Sequence, residues 1–108
     1  MTRPANSLRG EAELIVAGRR YLLRPSFAAL VAAEAELGSL FALVERAAEG
    51  ELTLAEITAL LWHCLDPNDR SGDRPDQQSL GEAVIAMGLL EAIKPVRAVL
   101  AEVLKGRG

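Results

Sequence analysis

At Pro25 the apolar residues of this chain change their period, and that change constrains the fold more than any motif does. Ahead of it, residues 11–17 and 20–24 read as two short strands, with apolar side chains alternating to one face. Behind it, apolar residues recur every three or four positions, the spacing of an amphipathic helix. The fold class that follows is α+β, mostly α: an N-terminal β-hairpin leading into four or five short helices.

Placing Gly18-Arg19 at the centre of a two-residue turn gives glycine the positive φ of a type II′ hairpin. That register sets Val16 opposite Tyr21 and Leu14 opposite Leu23 on an apolar face. On the other face it sets Ile15 opposite Leu22 and Glu13 opposite Arg24. A one-residue slip is expected to destroy both features.

After Pro25, Ser26 caps a helix with Phe27, Leu30, Val31 and Leu37 on its stripe, and Gly38 stops it. Ser39 caps a second helix, with Leu40, Leu43, Val44 and Ala47 on one side and Gly50 as terminator. Thr53 and Glu56 form a capping box ahead of Leu54, Ile57, Leu61, Cys64 and Leu65. Residues 66–76 hold only turn formers and charges, which predicts an exposed loop over 66–78. Ser79 and Glu82 offer a second capping box, opening a helix through Ile93. Pro95, which lacks an amide donor, should break or kink the chain. A last helix then carries Val96, Val99, Leu100 and Val103, with Lys105 and Arg107 at its C-terminal end. Residues 1–9 lack periodicity and read as a flexible arm, leaving 10–106 as a single domain.

With 108 residues, half of them apolar, the chain is long enough to bury a core without staples. No apolar run approaches the ~20 residues of a membrane span, so no membrane partner is expected. Met1 to Arg9 has two arginines and no hydrophobic stretch after them, which is not a secretory pattern. The lone Cys64 suits a reducing compartment, and a cytoplasmic location is the expectation. Net charge is −3, unevenly spread. Residues 1–25 carry five arginines against two glutamates, whereas residues 26–65 carry one arginine against six glutamates. A duplex binder concentrates Lys/Arg on one face, so no nucleic acid partner is expected.

Reactive chemistry is sparse. His63 and Cys64 are the only imidazole and thiol, and as neighbours on a helix they point about 100° apart, so they cannot share an ion from one face. The spaced ligand pairs of a zinc site are absent. In the acidic loop, Arg70 stands at a would-be ligand position counted from Asp66, and Ser71 replaces the glycine of a calcium loop. No phosphate-cradling glycine motif occurs. Glu34 falls inside an apolar stripe, and pairing with Arg20 or Arg24 is a simpler expectation than a buried acid of raised pKa. Neither metal nor cofactor is therefore expected, and no catalytic residue. Two features suggest contact instead. Trp62 stands at the rim of its helix's apolar face, where interface anchors are common. The Val96, Val99, Leu100, Val103 seam is spaced close to the pattern that helix partners use, although core burial explains either feature.

The run Arg9-Gly10-Glu11-Ala12-Glu13-Leu14, then Gly18 to Arg24, Phe27-Ala28-Ala29-Leu30, Glu34 and Leu37-Gly38, resembles the opening of the gene transfer agent tail-protein family. Ser39-Leu40 and Glu49-Gly50 continue the likeness, which covers about residues 9–65. Those proteins are similar to tail assembly chaperones of tailed bacteriophages. The resemblance implies a non-enzymatic factor from a gene transfer agent or prophage cluster in a bacterial cell. It would bind the tape measure protein transiently and meet tail tube proteins, with self-association left open. A helical client exposing an apolar face fits helix-in-groove recognition, and Trp62 with the last helix would supply the covering surface. Two alternatives stay open. Thr53-Leu54-Ala55-Glu56-Ile57 resembles the first helix of a helix-turn-helix regulator, and the chain would also suit a minor structural subunit of the tail.

Overall fold

The hairpin forms as β1 (Ala12–Val16) and β2 (Arg19–Leu23), antiparallel, but its register is two residues away from the expected one. The computed structural model describes residues 12–16, 18–66 and 75–105. The 1–9 arm, most of the 66–78 loop and Arg107 lie outside the described residues. Leu14 faces Tyr21, Ala12 faces Leu23, and Val16 faces Arg19 across the closing pair. Gly18, at φ +75°, therefore takes the second position between the paired ends rather than the first. Moving the turn by one residue moves every partner by two, and an even shift leaves each side chain on its own face. The apolar face thus survives, with Leu14, Tyr21 and Leu23 buried. The charge pair changes partner: Glu13 meets Arg20, diagonally across the strands, in place of Arg24. On the same face Leu22 is buried and Ile15 is exposed.

Among the described residues, five helices follow. Ser26 and Gly38 bound α1 (Phe27–Leu37), as the sequence indicates, with the Ser26 hydroxyl accepting the Ala29 amide. The buried side differs from the expected stripe. Only Ala33 is fully enclosed, Leu30 and Leu37 pack on the core edge, and Phe27 and Val31 face outward. The helix is so rich in alanine that apolar character runs all round it, and a small residue is what close approach to a neighbour selects. Ser39 caps α2 (Leu40–Ala48), which meets α1 at 76°. Both halves of the Thr53/Glu56 capping box are made at the start of α3 (Leu54–Cys64). Glu56 also pairs with Arg46 of α2.

α3 is the hub of the core. Ile57 through Leu61 and Cys64 are all buried. Leu65 leaves the helix and bridges Leu23, while the Arg24 amide donates to the Cys64 carbonyl (2.7 Å) and the Asp66 amide to the Leu22 carbonyl (2.9 Å). The free edge of β2 is thereby partly covered.

The break between the last two helices is at Gly88, not Pro95. Asp76, not Ser79, caps α4 (Gln77–Met87), its carboxylate accepting the Ser79 amide at 2.7 Å. A charged acceptor at the helix N-terminus is favoured by the dipole, and this bond holds the Asp76 carboxyl below its usual pKa. Gly88, at φ +95°, ends α4 in a conformation other residues avoid. Pro95 then sits inside the 17-residue α5 (Leu89–Lys105). It forfeits one backbone bond, and Ala92, Val96, Val99 and Leu100, packed into the core around it, keep the helix continuous. The hairpin thus leads into the helical layout of an α+β, mostly α, chain, with α1, α4 and α5 packed against α3 and β1 against α4 and α5.

Candidate partner-binding surface

The residues proposed from sequence for partner contact divide between core and rim. Val96 and Val99 are fully enclosed and Leu100 is 4% exposed, so in this arrangement they hold the chain together and offer a partner nothing. Val103 is half-buried at the open end of α5. Trp62 is half-buried too, and packs against the core. Its indole Nε1 donates to the Pro75 carbonyl (2.7 Å), anchoring the start of α4 to α3.

Beside it, His63 stands edge-on to the Trp62 ring at 5.1 Å, and its Nε2 lies 2.7 Å from Glu36 Oε1. Gln77 Nε2 donates to the same oxygen at 3.2 Å. These bonds from His63 and Gln77 lower the Glu36 pKa, because both stabilise the ionised carboxylate. The cluster ties α1, α3 and α4 together. Cys64, one residue on, points into the core, where burial pushes its thiol up to about 12. A thiol so protonated is a poor nucleophile. Among the described residues no group of three or more His, Cys, Asp or Glu could hold a metal ion.

Glu34 is neither a buried acid nor the partner of a hairpin arginine. It is exposed, and its Oε2 accepts the Leu40 amide at 3.1 Å, adding a second cap to α2. An N-terminal turn of unpaired amides is a nearer acceptor's target than an arginine across the molecule.

The open apolar surface lies elsewhere. Phe27 and Leu90 are each 85% exposed and Phe41 74%, with Leu104 and Leu89 more than half open. Two cavities accompany them. One, about 240 Å³, is lined by Glu34, Leu40, Phe41, Val44, Val103 and Leu104. The other, about 210 Å³, is lined chiefly by Ala47, Leu52, Leu89, Leu90, Ile93 and Arg97. On α2, residues 40, 44 and 47 share one stripe. On α5, residues 90, 93, 97 and 104 fall within about 60° of arc. The cavities are therefore the two ends of one trough between antiparallel α2 and α5. The sequence pointed to the wrong edge of α5 because the seam at 96, 99 and 103 is the more regular one, and regular seams are what cores recruit. The signal available was the Leu89-Leu90 pair just beyond Gly88, apolar residues at a helix start.

Elsewhere the geometry is plain. The helix after α3, α4, has Glu82 and neither Lys nor Arg, so it has no group with which to neutralise phosphate. No single described helix is long and apolar enough to cross a membrane.

A family model described as phage tail tube protein, GTA-gp10, matches residues 9–106. No curated protein and no solved structure matches the chain.

Proposed function

The chain belongs to the phage tail tube protein family described as GTA-gp10, and from that membership we propose that it is a structural subunit of a gene transfer agent or phage-type tail, working by contact rather than catalysis. The observation that carries this reading is the extent of the match, which takes in the hairpin and all five described helices. The family description names a tube protein and does not mention a chaperone, so the structural subunit is the better supported of the tail roles. Its partners in this reading are other tail proteins. The exposed Phe27 and Val31 on α1, with the Trp62 rim, give neighbours an apolar surface of the kind that large aromatic side chains anchor.

Particle purification separates this from the tape measure chaperone that the resemblance also implies. A subunit remains at fixed stoichiometry with tails through density-gradient sedimentation in high salt. A chaperone is found with soluble tape measure protein and is lost from finished particles, and that distribution would overturn the proposal.

A further inference from the structure

The trough between α2 and α5 carries one charged lining residue at each end, and the two are of opposite sign. Glu34 lies at the end formed by Phe41 and Leu104, and Arg97 at the end formed by Leu89 and Leu90. The other charges of α5 nearby are matched within the helix, Lys94 with Glu91 (3.1 Å) and Lys105 with Glu102 (3.3 Å). Glu34 and Arg97 are therefore the charged side chains that line the trough, one at each end.

A surface whose two ends are oppositely charged is complementary to itself after a half-turn. We propose that the occupant of the trough is a second copy of this chain, in a two-fold dimer with the two α5 helices antiparallel. Each Glu34 then meets the partner's Arg97, and each Leu90 enters the cavity between the partner's Phe41 and Leu104. Such an isologous contact uses one patch twice and closes at two subunits. A parallel arrangement would set like charges together, which costs specificity.

The size of the patch agrees. Phe41, Leu89, Leu90 and Leu104 leave roughly 500 Å² of mostly apolar surface open, at the upper end of what monomers carry. With Val44, Ile93 and Val103 at its edges and the exposed Glu34 and Arg97 at its ends it approaches the ~800 Å² per partner of a standard interface. The two cavities give the leucines somewhere to go, so burial need not await rearrangement of the core. The proposal is independent of the tail assignment, and leaves Phe27 and Trp62 outside the dimer contact.

Sedimentation velocity across a concentration series tests it on the full chain. The expected result is a monomer–dimer equilibrium with no larger species. Leu90→Asp should weaken the dimer by at least about tenfold, since a carboxylate would have to be desolvated in an apolar cavity. Its residue is 85% exposed, so the monomer should fold normally by circular dichroism. Glu34→Arg and Arg97→Glu should each weaken association by about three- to tenfold at low salt, and the double exchange should restore most of it. A monomer at every concentration, a dimer indifferent to Leu90→Asp, open-ended growth, or two weakened single variants without recovery in the double would each overturn the proposal. Particle copurification reports on the tail assignment separately.

Discussion

α2 and α3 are both short, apolar and well capped, yet one is almost engulfed and the other mostly open. From Ile57 to Leu61 every residue of α3 is buried, whereas α2 buries only Leu43 and Ala47 and leaves Phe41 three-quarters exposed. Apolar content does not explain the contrast. Position does: α3 lies between α1, α4 and α5, and its C-terminal extension pairs with β2, while α2 lies at the margin, held by caps and the Arg46–Glu56 pair. Stability is concentrated in α3 and available surface along α2.

The sharpest way to break this contrast is a cavity in the hub. Leu61→Ala should cost about 2–5 kcal/mol, the range for a fully enclosed leucine, read as a lower denaturant midpoint with unchanged slope. Cys64 checks the same region without a substitution. Its thiol should resist a water-soluble disulfide reagent at pH 8 and react only at the rate of unfolding. The folded thiol lies at about 12 against an ordinary 9.0, so the unfolded state loses its proton first. Its contribution is complete below pH 9 and declines as pH rises toward 12.

Thr53→Ala removes one half of the capping box and should cost about 1 kcal/mol, seen as a small fall in Tm. Phe41→Ser sharpens the other side of the comparison. On a residue this exposed it should change stability by no more than about 0.5 kcal/mol, while weakening self-association in the sedimentation assay. A large loss of stability would mean that α2 belongs to the core after all.

The smallest effect is expected at Glu36. Its lowered pKa means that the folded state favours the carboxylate, so its contribution is present above the ordinary value of 4.5 and is lost as pH falls through and below it. Glu36→Gln should lower Tm slightly at neutral pH, and the difference from the parent should vanish in acid. Because the carboxylate is partly exposed, solvent screening keeps the effect small.

Local chemistry made much of this legible. Ser26, Ser39 and Thr53 mark helix starts because a side-chain oxygen two or three residues away is sufficient to satisfy an end amide, and Gly38 marks a stop for the same short-range reason. The hairpin was legible to within its turn: alternation identifies a face, but two registers that differ by two residues present identical faces, and only the pairing of Val16 with Arg19 separates them. Pro95 misleads because one lost backbone bond is a local cost that core packing offsets, while Gly88 is unobtrusive in the sequence and decisive in the chain. The candidate site was least legible. Leu90, Phe41 and Val99 are alike as apolar residues on helices, and nothing within a few positions of any of them says which is covered.

Sequence alone therefore determined the hairpin's faces, the first three helices with their N-caps, and the change from strand to helix at Pro25, since each depends on bonds and spacings within a few residues. Tertiary structure alone decided which apolar stripe became core and which became surface, because burial depends on what arrives from elsewhere in the chain. Val99 is enclosed and Leu90 is open on the same helix for that reason.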